Sequence, residues 1–178
     1  NDEKKFFDIL TQKCNDHLGK EMSGLLADCL DPKVGPLFVA YLHEADDNGH
    51  VTYEEACDYQ KIRQVVEEKL EDYNMEPGYI PMDLVIFRDA LLHITRVCRV
   101  IAQPRGNALL IGVGGSGRQS LTRLAAFIST YKLFQIEITK QYRTLEFHED
   151  NKKVYIQAGV ENQRTVFLFT DTQVKQES

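Results

Sequence analysis

No apolar stretch in the 178 residues approaches the ~18 that a membrane span needs, so a membrane partner is not expected. The four cysteines, Cys14, Cys29, Cys57 and Cys98, form no CxxC pair and have no histidine at zinc spacing. That excludes a disulfide frame and a zinc site, and it suits buried thiols in a reducing compartment such as the cytoplasm. The five histidines are scattered, and no Ser-His-Asp or Cys-His arrangement stands out. Repeats and low-complexity segments are also missing. The chain starts at Asn1 without an initiator Met or a signal-peptide pattern and ends at Ser178 just after an apolar run. It reads as part of something longer.

Charge is present but uneven. Residues 1–80 hold 18 acids and 8 bases, net −10; residues 81–178 hold 9 acids and 13 bases, net +4. A half at +4 with dispersed charges does not point to nucleic acid. The sign change marks an expected boundary near Pro77–Pro81, between an acidic helical segment (1–80) and a second unit (81–178).

The first segment reads as helices. Phe6, Phe7, Ile9 and Leu10 start one that runs to about Cys14. Leu25, Leu26, Cys29 and Leu30 suggest a second, stopped by Asp31-Pro32, and Leu37 to Leu42 a short third. In the fourth, Thr52 and Glu55 have capping-box spacing. Tyr59, Ile62, Val65, Val66, Leu70 and Tyr73 then mark one amphipathic face. A competing pattern places Glu44, Asp46, Asn48, Gly49 and Glu55 at positions 1, 3, 5, 6 and 12 of a calcium loop, with Val51 at the apolar eighth. A calcium-binding helical module is therefore an alternative for this segment.

The second segment carries the chemistry. Asn107 to Val113 (NALLIGV) is an apolar run of strand length, followed by Gly112-Val113-Gly114-Gly115-Ser116-Gly117-Arg118-Gln119-Ser120. Leu121, Leu124, Ala125 and Ile128 then recur at helical spacing. Strand, glycine-rich turn and helix form the setting of a phosphate-binding loop. Glycines let successive N–H groups point inward as an anion nest, and the helix N-terminus adds about half a positive charge there. Gly112 and Gly117 have the spacing of GxxxxGK[ST]. Arg118 stands where Lys is expected, and Gln119 where a hydroxyl should meet magnesium. Ser120, one residue on, is the available hydroxyl. ATP or ADP with Mg2+ is the ligand this pattern implies.

Downstream, Phe134 to Ile138 suggests a second strand, and Thr144 to Ala158 a helix with Gly159 as its C-cap. Thr165 to Asp171 (TVFLFTD) reads as a buried strand ending in an acid, the place where P-loop enzymes hold magnesium. Asp171 is thus the candidate metal-binding and catalytic acid, but Thr172 and Gln173 follow it, so no second acid is present. Upstream, Leu84, Val85, Ile86 and Phe87 precede a helical face made by Ala90, Leu91, Ile94, Val97 and Ile101. Leu84 and Val85 are candidates for the wall of an adenine pocket; plain core is the other reading.

Residues Asp83 to Ser178 resemble the fourth of the six AAA+ modules of a dynein heavy chain. The matching stretches are DLVIFRDALLHITRVCRVIAQPRGNALLIGVGGSGRQSLTRLAAFIS (Asp83 to Ser129) and VFLFTDTQVKQES (Val166 to Ser178). GVGGSGRQSL after QPRGNALL is similar to axonemal heavy chains of the inner-arm type, whereas cytoplasmic ones usually carry Lys and Thr in this loop. VVEEKLEDYN, Val65 to Asn74, is similar to the segment leading into the module.

The resemblance implies an α/β fold, the N-terminal part of a P-loop AAA+ (αβα) large subdomain after an α-helical segment. Three core strands are readable where the family has five. The resemblance also implies a microtubule motor that hydrolyses ATP mainly at its first module, with this fourth module binding nucleotide and modulating the cycle. Gly112 to Gln119 match the phosphate loop and Arg118 its lysine. Where more orthodox members have Asp-Glu after the strand, this chain has Thr170-Asp171. The implied partners are neighbouring modules of the same chain, microtubules, and dynein light and intermediate chains. The implied location is the cytoskeleton, in a ciliary or flagellar axoneme. A structural ring module with permanently bound or no nucleotide is the alternative.

Overall fold

The computed structural model describes residues 2–18, 37–43, 46, 51–56, 58–139 and 141–173. The helix suggested by Leu25 to Leu30 lies outside them, as do Glu44, Asn48 and Gly49 of the calcium pattern. No helix of the described residues is long and apolar enough to cross a membrane. The chain divides into two compact units, one of residues 1–38 and 54–57, the other of residues 39–53 and 58–178.

In the smaller unit, helix α1 spans Asp2–Leu18. Phe6 and Phe7 meet edge to face with ring centroids 5.6 Å apart. Phe38–Val39 (β1) and Glu54–Glu55 (β2) form a short two-stranded sheet, with Ala56 N donating to Leu37 O at 2.7 Å. Leu37 to Leu42 holds a strand and bends, not a helix. The Thr52–Glu55 capping box does not form, because Glu55 is committed to the sheet. Pairing with a distant segment satisfies these backbone groups and outweighs a local cap.

At the centre of the larger unit one helix rests on two others. Tyr59–Met75 (α2) starts at Asp58, whose Oδ1 accepts from Gln60 N at 2.8 Å and Lys61 N at 3.4 Å. Asp58 can do this because its extended backbone turns the carboxylate back over the first free amides. The buried face of α2 is Ile62, Val66, Leu70 and Tyr73, at the 4-residue and 3-residue steps of one helical stripe. Asn74 then clamps the chain beyond the helix: Nδ2 donates to Met82 O at 2.9 Å, and Oδ1 accepts from Met82 N at 2.8 Å.

Arg88–Ala102 (α3) buries Ala90, Leu91, Ile94, Thr95, Val97 and Cys98. Burying each large aliphatic side chain contributes roughly 1.5–3 kcal/mol. Thr95 is satisfied within this core by the Tyr41 hydroxyl at 2.8 Å. Arg118–Ile128 (α4) packs on both α2 and α3. Tyr73, Tyr79 and Phe127 form a triad of edge-to-face rings, with centroids 4.8, 5.4 and 5.9 Å apart.

Lys132–Gln135 (β3) pairs in parallel with Thr165–Leu168 (β4), Lys132 opposite Thr165 and Gln135 opposite Leu168. The crossover between them carries Thr144–Tyr155 (α5), which continues as a π-helical turn over Ile156–Val160. A helical crossover is what parallel pairing requires. Gly159 lies inside that π turn and is not the C-cap; Asn162, at φ 52°, supplies the left-handed residue that ends the helix. Its short polar side chain tolerates that conformation. The wider turn delays the stop, and Gln163 N closes it on Gln157 O at 3.0 Å.

Among the described residues this sheet has two strands, so Asn107 to Val113 is not the third strand that its apolar run suggests. Leu109, Ile111 and Val113 are 85%, 85% and 83% exposed. A strand exists only when a neighbour pairs its backbone. Here the carbonyls of Leu110 and Val113 accept from the side chain of Arg118.

Candidate functional site

The glycine-rich loop joins α3 to α4. Gly106 makes the turn after α3: a Cβ there would lie 1.8 Å from Val100 O, so the chain passes too close for any side chain. Arg105, at φ 56°, and the bond from Gly106 N to Gln103 O at 3.0 Å complete the reversal.

Ser116 N donates to Val113 O at 3.3 Å, closing the loop's turn. Gly115 at φ 77° and Gly117 at φ 75° are left-handed, a conformation that costs any residue with a Cβ roughly 1–2 kcal/mol. Gly117 is the N-cap of α4, and no side chain caps that helix. Its first turn therefore keeps N–H groups and the positive end of the helix dipole for an incoming anion. A Cβ added at Gly114, Gly115 or Gly117 would meet nothing within 4 Å, so the space over the loop is open. These features fit a phosphate group.

Residues 112–116 are exposed, and Gly117, Arg118, Gln119 and Ser120 are half-buried. Arg118 folds back over the loop. Its Nη1 donates to Leu110 O at 3.2 Å and its Nη2 to Val113 O at 3.1 Å. A Cβ on Gly112 would sit 3.4 Å from Ser116 Oγ and 3.5 Å from Arg118 Cδ.

Helix α4 is held from behind. Cys98 Sγ donates to Ala125 O at 3.6 Å, joining α3 to α4, and burial pushes the Cys98 thiol up to about 11. Thr122 Oγ1 donates to Arg118 O at 2.8 Å, and Arg123 Nη2 to Gln135 Oε1 at 2.8 Å, which ties α4 to β3.

At the end of β4, Asp171 opens a 3-10 turn, Asp171–Gln173. Asp171 is exposed, and its Oδ1 accepts from Thr172 N at 3.0 Å. Thr170 is buried, with its hydroxyl 2.9 Å from that of Thr172. Magnesium at this site would draw on Asp171, Ser120 and the nucleotide's own oxygens; Gln119 has only an amide oxygen to offer. Among the described residues no three of His, Cys, Asp and Glu gather as a metal-ligand set. Upstream, Leu84 is half-buried and Val85 is 76% exposed, while Ile86 beside them is core.

Sequence reasoning missed two side chains that shape this region. Gln173 is buried: its Oε1 accepts from Thr170 N at 2.8 Å, and its Nε2 donates to Ile136 O. It extends the parallel pair by one rung beyond Gln135 and Leu168, using a side-chain amide in place of a backbone one. Asn74 likewise bonds both backbone groups of Met82, outside any sheet. Neither has a local signal, since each partner is remote or lies in irregular chain.

Comparison with known proteins adds the family. A profile described as "P-loop containing dynein motor region D4" matches residues 82–178. The dynein-1-beta heavy chain of the flagellar inner arm I1 complex of Chlamydomonas reinhardtii is 49% identical over 172 residues, 95% of this chain and 4% of that protein. Dynein axonemal heavy chain 2 of Mus musculus is 52% identical over 143 residues, 80% of this chain and 3% of that protein. Dynein axonemal heavy chain 6 of Homo sapiens is 43% identical over 176 residues, 98% of this chain and 4% of that protein. The chain thus spans only 3–4% of the length of these relatives. With mixed α/β architecture, a glycine-rich loop opening onto a helix, and identity that reaches into the acidic segment, this chain belongs to the dynein heavy chain family, axonemal type, in the P-loop motor region D4.

Proposed function

We propose that this chain binds ATP or ADP in a regulatory AAA+ module of a dynein motor that drives microtubule-based movement in a ciliary or flagellar axoneme. The observation that carries the reading is the junction at Gly117. Two left-handed glycines lead into an uncapped helix whose first residue is Arg118. In this reading Gly112 to Gln119 wrap the phosphates, Arg118 supplies the cation, and Ser120 and Asp171 serve magnesium. Leu84 and Val85 face the base. The working units are the acidic segment 1–80 and the module that begins at 81. Neighbouring modules of the same chain, microtubules, and dynein light and intermediate chains are the partners, reached through the whole motor.

The site is regulatory in this proposal because Thr170 and Asp171 stand where a magnesium acid and a catalytic glutamate would both be needed. Photolabelling the full-length protein with 8-azido-ATP tests it, with the labelled peptides mapped by mass spectrometry. Label should appear in peptides containing Leu84–Val85 or the loop, compete with ADP, and fall about tenfold or more in Arg118→Ala, the scale of a charged hydrogen bond. Label confined to other parts of the protein would refute the reading.

A second reading is favoured by one observation: two of Arg118's donors are already engaged by backbone carbonyls. The loop would then be a structural turn of the motor ring holding permanent nucleotide or none. Exchange of bound nucleotide over minutes supports the first reading; no exchange or no nucleotide supports the second.

A further inference from the structure

We propose that Arg118 is the positioning residue of the phosphate loop, bracing its backbone as a two-pronged donor. The guanidinium reaches back from the first residue of α4 to the carbonyls of Leu110, at 3.2 Å, and Val113, at 3.1 Å. It thereby ties the run that enters the loop to the helix that leaves it. Val113 O also accepts from Ser116 N at 3.3 Å, so the brace and the loop's own turn converge on one carbonyl. The arginine stem passes beside Gly112, where an added Cβ would stand in ordinary contact with it at 3.5 Å.

The chemistry explains why arginine stands at this position. A guanidinium has five N–H donors in a planar fork. Two carbonyls use one donor on each terminal nitrogen, which leaves Nε–H and one more on each Nη for a phosphate. One side chain can therefore hold the loop and meet the ligand together. An ammonium is a compact point charge without that fixed fork, so lysine at 118 keeps the charge and loses the brace. The brace itself stands on the protein's own backbone. Only its second arm, the effect on nucleotide, rests on the proposed nucleotide-binding function.

Hydrogen exchange followed by mass spectrometry in the full-length protein tests both arms at this site, in the peptides covering residues 105–121. In the nucleotide-free protein, Arg118→Lys and Arg118→Gln should each speed exchange about tenfold at Ser116 N, whose acceptor Val113 O the guanidinium holds, the scale of a hydrogen bond to a charged group. Exchange in α3, residues 88–102, should stay at the wild-type rate and so report an intact fold. With ADP added, Arg118→Lys should need about tenfold more ligand than wild type for half-protection, by the same bond. Wild-type exchange in free Arg118→Lys would overturn the brace. So would acceleration of α3 by both variants, which would mean that the side chain supports the fold at large. A wild-type protein that ADP does not protect, with Arg118→Lys still accelerated, would sink the nucleotide reading and leave the brace standing.

Discussion

At the scale of residues, Gly106 and Cys98 show how little slack surrounds the loop. Gly106→Ala drives a Cβ to 1.8 Å from Val100 O, a backbone atom that cannot swing away. The end of α3 must shift, and we expect a loss of about 2–4 kcal/mol, read from urea unfolding midpoints. Cys98 is 8% exposed and held against Ala125 O, so its thiol should resist iodoacetamide while half-buried Cys14 reacts. Its pH effect has a definite sign. Burial raises the thiol from an ordinary value near 9 to about 11. Between those values the unfolded chain has released the proton and the folded chain keeps it, so stability is full below about pH 9 and falls as pH rises towards 11. Cys98→Ser should flatten that fall, and denaturant melts between pH 8 and 11 read it directly. The glycines of the loop were legible from spacing, because left-handed backbone favours that residue. The engagement of Arg118 was not, because a side chain that bonds carbonyls eight and five residues back leaves no periodicity.

At the scale of elements, the long helical faces and the two paired strands read correctly, with shifted ends, while Leu37 to Leu42 and Asn107 to Val113 did not. The stripes of α2 and α3 announce themselves, since every third or fourth residue must be apolar to bury one face. Helix α2 is capped at Asp58, six residues beyond Thr52, because Thr52 and Glu55 have only the local spacing of a cap while the pairing of Glu54–Glu55 with Phe38–Val39 is non-local. Asn107 to Val113 has a strand's composition but not a strand's pairing, which no single segment can encode. The parallel pair β3–β4 depends on Gln173 at its end. Gln173→Leu would keep the bulk but leave the buried Thr170 N and Ile136 O without their partner. We expect a loss of about 2 kcal/mol, measurable by chemical denaturation, and faster exchange at Thr170 N. Gln173→Glu should not recover it at neutral pH, since a buried carboxylate donates nothing to Ile136 O and sets an oxygen against it. Equal stability of Gln173→Leu and wild type would show that the side-chain rung contributes nothing.

At the scale of the whole molecule, the glycine-rich loop depends on what lies behind it. Helices α2 and α3 pack on α4, and Arg123 joins α4 to β3, so the helix that would receive a phosphate is fixed on three sides. The family was legible from the loop and its flanks because a phosphate nest imposes a sequence pattern that few other needs impose. Whether the loop holds nucleotide is read by a thermal melt. With millimolar magnesium-ADP, binding to the folded state alone must raise stability, by about 2.7 kcal/mol at a hundred times the dissociation constant. ADP should move a cooperative melt upward in the wild type and move it much less in Arg118→Ala. A cooperative wild-type melt that ADP leaves in place would contradict that binding.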